Sequence, residues 1–263
     1  MTPERKGGST PGLPEERYSR HLLLPGFGSR AQEKVRRASV AVVGAGGLGS
    51  PASLYLAAAG VGRLGLFDPE RVELSNLQRQ ILYGTADLDC LKVRVAASRL
   101  RDLNPEVKVE AHVLRVGPRE AEELFREYDL VIDAVDGAET RYVLNDAALS
   151  AGKPLVEGAM VGYRGFLMTV VPGKGPCLRC VFPQPPEEAP ACAIEGVLGP
   201  LGGIMGALEA LEALKLITGI GQPYVGRLLT FDAETGLFRT VRWPKGRDCP
   251  AHSLSPAPSV PAT

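Results

Sequence analysis

Two rhythms of apolar and polar positions alternate along the chain. SVAVVG (39–44) is an unbroken apolar run, the pattern of a strand buried on both faces of a parallel sheet. PASLYLAAAG (51–60) follows as a helix, with Pro51 in its first turn and Gly60 closing it. RLGLFD (63–68) reads as a second strand, KVRVAASRLRDL (92–103) as a helix ending before Asn104-Pro105, and VKVEAHV (107–113) as an alternating strand. PREAEELFREY (118–128) suits a helix, DLVIDAVD (129–136) a buried strand and ETRYVLNDAALSAG (139–152) another helix; PLVEGAMV starts a further strand near 154. Units of this length predict an α/β fold with a doubly wound, mostly parallel sheet. After about residue 160 the rhythm changes. GFLMTVV and GRLLTFDAETGLFRTVRW read as an antiparallel C-terminal extension, the latter turning at Glu234-Thr235-Gly236. Between them GIMGALEALEALKLITG (203–219) has helical spacing, and its LEALEALKL run is assigned to the core. No internal repeat is visible. Residues 1–14 and 253–263, rich in Pro, Ser, Gly and Thr, are expected to be disordered tails around one domain over 15–252.

Composition narrows the partners. The 263 residues carry a formal net charge of zero and no polybasic block, which argues against nucleic acid or an anionic membrane as the main partner. No stretch approaches the ~20 apolar residues of a membrane span, and MTPERKGGSTPGLPEE lacks the apolar core of a signal peptide. A cytoplasmic location is expected. Five cysteines, an odd number in a chain without an export signal, point away from a disulfide framework and toward metal binding or reactivity.

The first strand runs into Gly44, Gly46, Gly47 and Gly49, a G-x-G-x-x-G that opens a helix in the Rossmann-like manner. Without Cβ atoms the backbone N–H groups can approach a phosphate, and the helix N-terminus adds positive potential. The alternative is a purely structural glycine turn. Asp68, ending the next strand, is placed to accept a hydrogen bond from a ribose hydroxyl. These features alone suit an NAD(P)-dependent oxidoreductase. The residues downstream of Asp68 favour another chemistry. Asn76, Gln78 and Arg79 come soon after the acid and Lys92 opens the next helix. A dehydrogenase never breaks its pyrophosphate, whereas an enzyme that expels pyrophosphate must offset charge growing on the leaving group with Arg, Lys and usually Mg²⁺.

RYSRHLLLPGFG (17–28), VGAGGLGS, LFD, SNLQRQ, the Lys92 helix, DLVIDAVD, PCLRC and EALKLITG occur here in the order found in the MoeB/ThiF family, which the chain resembles over roughly residues 15–252. These are relatives of ubiquitin-activating enzymes that adenylate small sulfur-carrier proteins. The resemblance implies that Gly44, Gly46, Gly47 and Gly49 line the ATP phosphates and Asp68 takes the ribose. Ser75, Asn76, Gln78, Arg79 and Lys92 would contact the nucleotide, and Asp136 would bind Mg²⁺. It implies a homodimer in which Arg20 reaches across to the partner's ATP. Asp136-Gly137 stands where the family usually has Asp-Asn. The implied reaction joins AMP to the C-terminal Gly-Gly carboxylate of a ubiquitin-like carrier and releases pyrophosphate. That carboxyl, with a pKa near ~3.5, is already an anion at neutral pH and needs no general base. Alignment and charge neutralisation would carry the catalysis. The carrier could serve molybdopterin, thiamine, tRNA thiolation or cysteine synthesis. No rhodanese-like domain follows, so sulfur is expected from another protein, a cysteine desulfurase or rhodanese. A non-catalytic member that only docks a partner, or one adenylating a tRNA-linked carboxylate, are the other readings within this fold; the neutral charge and the cysteine pairs argue against the tRNA-linked case.

Cys177-Leu-Arg-Cys180 and Cys249-Pro-Ala-His252 are two short pairs that together would make a tetrahedral Cys₃His zinc site, structural and far from the phosphates. The family normally has a second C-x-x-C there. A redox pair at 177/180 or a metal-free remnant are the alternatives. Cys192 lies in FPQPPEEAPACAIEG, a stretch with loop composition. It is either an ordinary exposed cysteine or, as the resemblance suggests, an acceptor in acyl or persulfide transfer. Cys90 is read as a packing residue; His21 and His112 have no evident partner, and His21, beside Arg20, is read as a surface histidine with a phosphate contact as the alternative.

Overall fold

One eight-stranded sheet runs through the chain, described in this computed structural model over residues 16–185, 196–246 and 249–254. Strands β1 (Ser39–Val43), β2 (Arg63–Phe67), β3 (Lys108–His112), β4 (Leu130–Asp133) and β5 (Leu155–Val161) pair in parallel in the order β3-β2-β1-β4-β5. Strands β6 (Arg164–Val170), β7 (Arg227–Asp232) and β8 (Leu237–Arg242) continue from β5 in antiparallel pairing, the predicted extension.

Helices cover both faces. The chain supplies α1 (Ser19–Leu22), α2 (Gly28–Arg37), α3 (Gly49–Ala59), α4 (Lys92–Leu103), α5 (Pro118–Glu127), α6 (Ala138–Ala151), α7 (Leu178–Val181) and α8 (Gly199–Thr218). Successive strand residues point to opposite faces. Val40 and Val42 enter a core with Leu56, Leu100 and Met205, from α3, α4 and α8. Ala41 and Val43 enter a second core with Phe125 and Leu144, from α5 and α6. The strands therefore read as continuous apolar runs because both faces are covered.

Three local readings change. α2 was not among the expected elements, although its polar and apolar residues segregate at helical spacing; it buries Ala31, Gln32 and Val35, and the Gln32 amide caps the end of α3 by donating to the Ala59 carbonyl at 2.8 Å. α8 begins at Gly199, earlier than its apolar spacing suggests, because Pro200 in its first turn suits a helix start and its glycines carry no periodicity. The LEALEALKL run is core only in part: Leu211 is exposed, while Glu209 and Glu212 are buried. Glu212 accepts hydrogen bonds from Thr169 Oγ1 and the Tyr224 amide and pairs with Lys215, each at 2.6 Å. Residues Pro250–Leu254 form a 3₁₀ turn; the rest of both expected tails lies outside the described residues. No described helix is long and apolar enough to cross a membrane.

Candidate active site

The sheet's strand order reverses at β1, which has β2 on one side and β4 on the other, and an open α/β sheet makes a crevice at such a point. A cleft of about 1530 Å³ lies there. The glycine loop forms its wall for steric reasons. Gly44 has φ 94°, and a Cβ there would run into the Ala134 carbonyl. Its N–H donates to the Phe67 carbonyl at 2.8 Å, and a Cβ on Gly49 would collide with the Gly44 carbonyl. The loop thus folds back tightly enough that Gly44, Gly46 and Gly47 face the cleft while Gly49 sits buried behind them.

Asp68, at the end of β2, is buried beneath the loop. Its Oδ2 accepts from the Ala45 amide at 2.9 Å and its Oδ1 from the Glu70 amide at 2.8 Å. Burial raises its pKa above the usual carboxylate value, against the opposing pull of those amides and of Lys92. Lys92 opens α4, is almost wholly buried, and pairs with Glu70 Oε2 at 2.6 Å. Arg79 donates from Nη1 to the Ser75 carbonyl at 2.9 Å. Buried Asn76 closes the intervening 3₁₀ turn, its Oδ1 accepting from the Glu73 amide at 3.2 Å. Ser75 and Gln78 are exposed on the same wall, and Asp136, just past β4, is exposed opposite.

The cleft therefore gathers Gly44, Gly46, Gly47, Asp68, Ser75, Asn76, Gln78, Arg79, Lys92 and Asp136. Arg20 is exposed on α1 and does not line this chain's own cleft. Cys192 lies outside the described residues. The arrangement offers donors and two cations for phosphate oxygens and an acid on either side.

A buried charge cluster under the cleft went unnoticed in the sequence. Asp133 and Glu157 are register partners on β4 and β5, and both are fully buried. Arg141 Nη1 lies 3.2 Å from Asp133 Oδ2, and its guanidinium donates to the carbonyls of Gly158 and Val135, each at 2.7 Å. It thereby ties the segment leading to Asp136 to β5. Burial drives Glu157 well above the usual carboxylate range, and nearby Asp133 adds to the shift while Arg141 opposes it. Glu209 enters from α8 against Gly158 and is pushed up for the same reasons. The available signal was a lone acid inside each of the apolar runs LVID and LVEG.

Cys177, Cys180, Cys249 and His252 converge, their ligand atoms all within 4.8 Å of one another. The Sγ of Cys177 is 3.9 Å from that of Cys180 and 3.8 Å from that of Cys249, and Cys180 Sγ is 3.1 Å from His252 Nε2. A tetrahedron with zinc–sulfur bonds of ~2.3 Å has sulfur–sulfur edges of ~3.8 Å, so the thiols already stand at the right separation. Burial pushes the Cys177 thiol up to about 12. For Cys180 burial acts the same way but is outweighed by hydrogen bonds, including the Gly246 amide at 3.3 Å, which hold its thiol below the ordinary value. Burial and Lys245 lower His252, favouring the neutral ligand form. Leu178 and Val181, in the short helix that begins at the first ligand, line the far end of the cleft, so the cluster is closer to the cleft wall than its sequence position suggests.

The remaining residues singled out are corrected in part. Cys90 is exposed, because it sits on a turn and not in a packed helix. His21 has a partner in Gln32 at 3.2 Å, and His112 stacks on Phe67 with ring centroids 4.3 Å apart.

Residues 18–251 match the ThiF family. A sulfur carrier protein adenylyltransferase of Thermus thermophilus is 49% identical over 242 residues, covering 89% of each chain. The adenylyltransferase and sulfurtransferase MOCS3-1 of Zea mays is 48% identical over 237 residues, which cover 89% of this chain and 51% of that protein. The chain thus spans about half the length of that relative. Escherichia coli MccB crystallised with ATP shares the fold, with a TM-score of 0.78 and 22% identity over 89% of this chain and 74% of that one.

Proposed function

The chain belongs to the ThiF family, and from that premise we propose that it is an ATP-dependent adenylyltransferase of a ubiquitin-like sulfur-carrier protein. One observation carries the reading: Arg79 and Lys92 stand in the same cleft as the glycine loop and Asp68. A carboxylate oxygen of the carrier's C-terminal Gly-Gly attacks the α-phosphorus of ATP. The bond between the α-phosphorus and the bridging oxygen breaks, and pyrophosphate leaves with the electron pair. The attacking carboxylate is already ionised, so the protein's work is alignment and charge neutralisation. Amides of Gly46 and Gly47 face the phosphates, Asp68 accepts from the ribose, and Ser75, Asn76 and Gln78 border the nucleotide. Arg79 and Lys92 take up charge that grows on the leaving group. Asp136, an exposed carboxylate in the cleft, suits Mg²⁺. A divalent ion there supplies further neutralisation of the pyrophosphate. Incubation with labelled pyrophosphate, ATP·Mg²⁺ and a Gly-Gly-ended carrier is expected to give carrier-dependent exchange into ATP; its absence would sink the reading.

The Cys₃His cluster fits zinc by donor type and separation. Metal analysis should find about one zinc per chain, lost in Cys249→Ala with a lower Tm. Metal-free protein of undiminished stability would reject the site.

The reading includes a homodimer. Tyr55 and Leu211 are exposed in a shallow groove between α3 and α8 that His21 borders, and Arg20 is His21's neighbour on α1. A second copy seated there would cover this apolar face and bring Arg20 toward the other cleft. Leu211→Asp should give a monomer by light scattering and lose exchange activity. A dimer that survives this change uses another face.

A further inference from the structure

Glu70 has no part in the adenylation chemistry, yet three hydrogen bonds fix it between both halves of the nucleotide wall. Its amide donates to Asp68 Oδ1 at 2.8 Å, its carbonyl accepts from the Lys92 amide at 3.0 Å, and its carboxylate meets the Lys92 ammonium at 2.6 Å. The side chains share exposure unequally: Lys92 is 3% exposed and Glu70 53%. The ammonium is therefore at the closed end of the pair and the carboxylate on its open side, and both border the cleft. An anion approaching Lys92 meets the carboxylate first. Carboxylate and phosphate oxygens are alike in charge and in hydrogen-bonding role, both accepting from an ammonium.

We propose that Glu70 is a stand-in for phosphate: in the ligand-free protein its carboxylate occupies the position on Lys92 that a nucleotide phosphate takes, and binding displaces it. The inference rests on the nucleotide reading of the cleft. The consequence is a selection among anions. A buried ammonium left bare would attract any small anion, whereas one already paired yields only to a ligand whose other contacts, at the loop, Arg79 and Asp68, offset the exchange. A nucleoside triphosphate makes those contacts and free phosphate does not. Glu70 stays tethered by its backbone bonds, so it returns when the site empties and holds Lys92 aimed for the next nucleotide.

The test is calorimetric binding of ATP·Mg²⁺ and, separately, adenosine to the full chain carrying Glu70→Gln, which keeps the shape and the backbone bonds but removes the charge. ATP·Mg²⁺ should bind about fivefold or more tightly than to the wild type, the scale of a half-exposed ion pair, while adenosine binding is unchanged. The gain should vanish when Lys92→Gln is present in both proteins compared. Glu70→Asp, too short to keep the contact, should also tighten ATP·Mg²⁺. Equal or weaker ATP·Mg²⁺ binding by Glu70→Gln, or a gain that persists without Lys92, overturns the proposal. A wild-type protein that binds adenosine and ATP·Mg²⁺ no better than it binds free phosphate overturns the nucleotide reading as well, so the two failures are distinguishable.

Discussion

Lys92 separates activity from stability. Its partner Glu70 is half exposed, so removing the lysine strands a carboxylate that water can solvate. Buried Asp68 loses its cation too, so Lys92→Gln should cost about 1–2 kcal/mol of unfolding free energy while lowering pyrophosphate exchange by about 10²–10³-fold. Chemical denaturation and exchange assays on one preparation check both. Glu209 behaves oppositely. Its folded pKa lies above its unfolded value of about 4.5, so the folded chain holds the proton more tightly. Stability from this group is complete below that unfolded value and is lost as pH rises through the folded one. Glu209→Gln should therefore be the more stable protein at neutral pH, with a shallower decline of Tm toward alkaline pH; an unchanged slope would mean the carboxyl is solvated. Such residues mark where the sequence falls silent. A glutamate at a helical or strand position reads as solvated, and only packing from α6 and α8 reveals Glu157 and Glu209 as buried acids. Asp68, Arg79 and Lys92 were legible because chain order ties each to an element end: strand, turn and helix start.

The glycine loop is where element geometry is least forgiving. The φ of Gly49 suits any residue, but a methyl group there would overlap the Gly44 carbonyl, and no flexible side chain can move aside. Gly49→Ala should cost about 2 kcal/mol or more and lower the urea midpoint. Gly137 offers the contrast: nothing lies within 4 Å of a Cβ placed there, and it caps α6 with ordinary φ of −87°. Gly137→Asn should fold normally and gain a few tenths of a kcal/mol from capping. The strands and most helices were readable because apolar period and stop signals agreed. α2 was missed although its period was there to read: Ala31, Gln32 and Val35 fall on one face and its charged residues on the other. The meeting of the two cysteine pairs was legible from donor type and short spacing, although over sixty residues and both strands β7 and β8 intervene.

At the scale of the whole molecule, reversal of chain direction at β6 decides what the cleft can admit. The C-terminal ends of β1, β4 and β5, the start of β6, the end of β7 and the start of β8 all open on the same side, and Arg164, Asp232 and Arg239 extend the cleft lining past the nucleotide end. A small-molecule pocket is typically about 300–1,000 Å³. The cleft exceeds that range, and its lining takes in residues of the antiparallel strands β6, β7 and β8. The antiparallel half is in effect a ruler. Four strand intervals from β4 to β8, at ~4.8 Å each, measure ~19 Å, the length of about six extended residues. A synthetic hexapeptide ending in Gly-Gly should be adenylated, a Gly-Gly dipeptide far more poorly, and lengthening the peptide beyond that span should gain little.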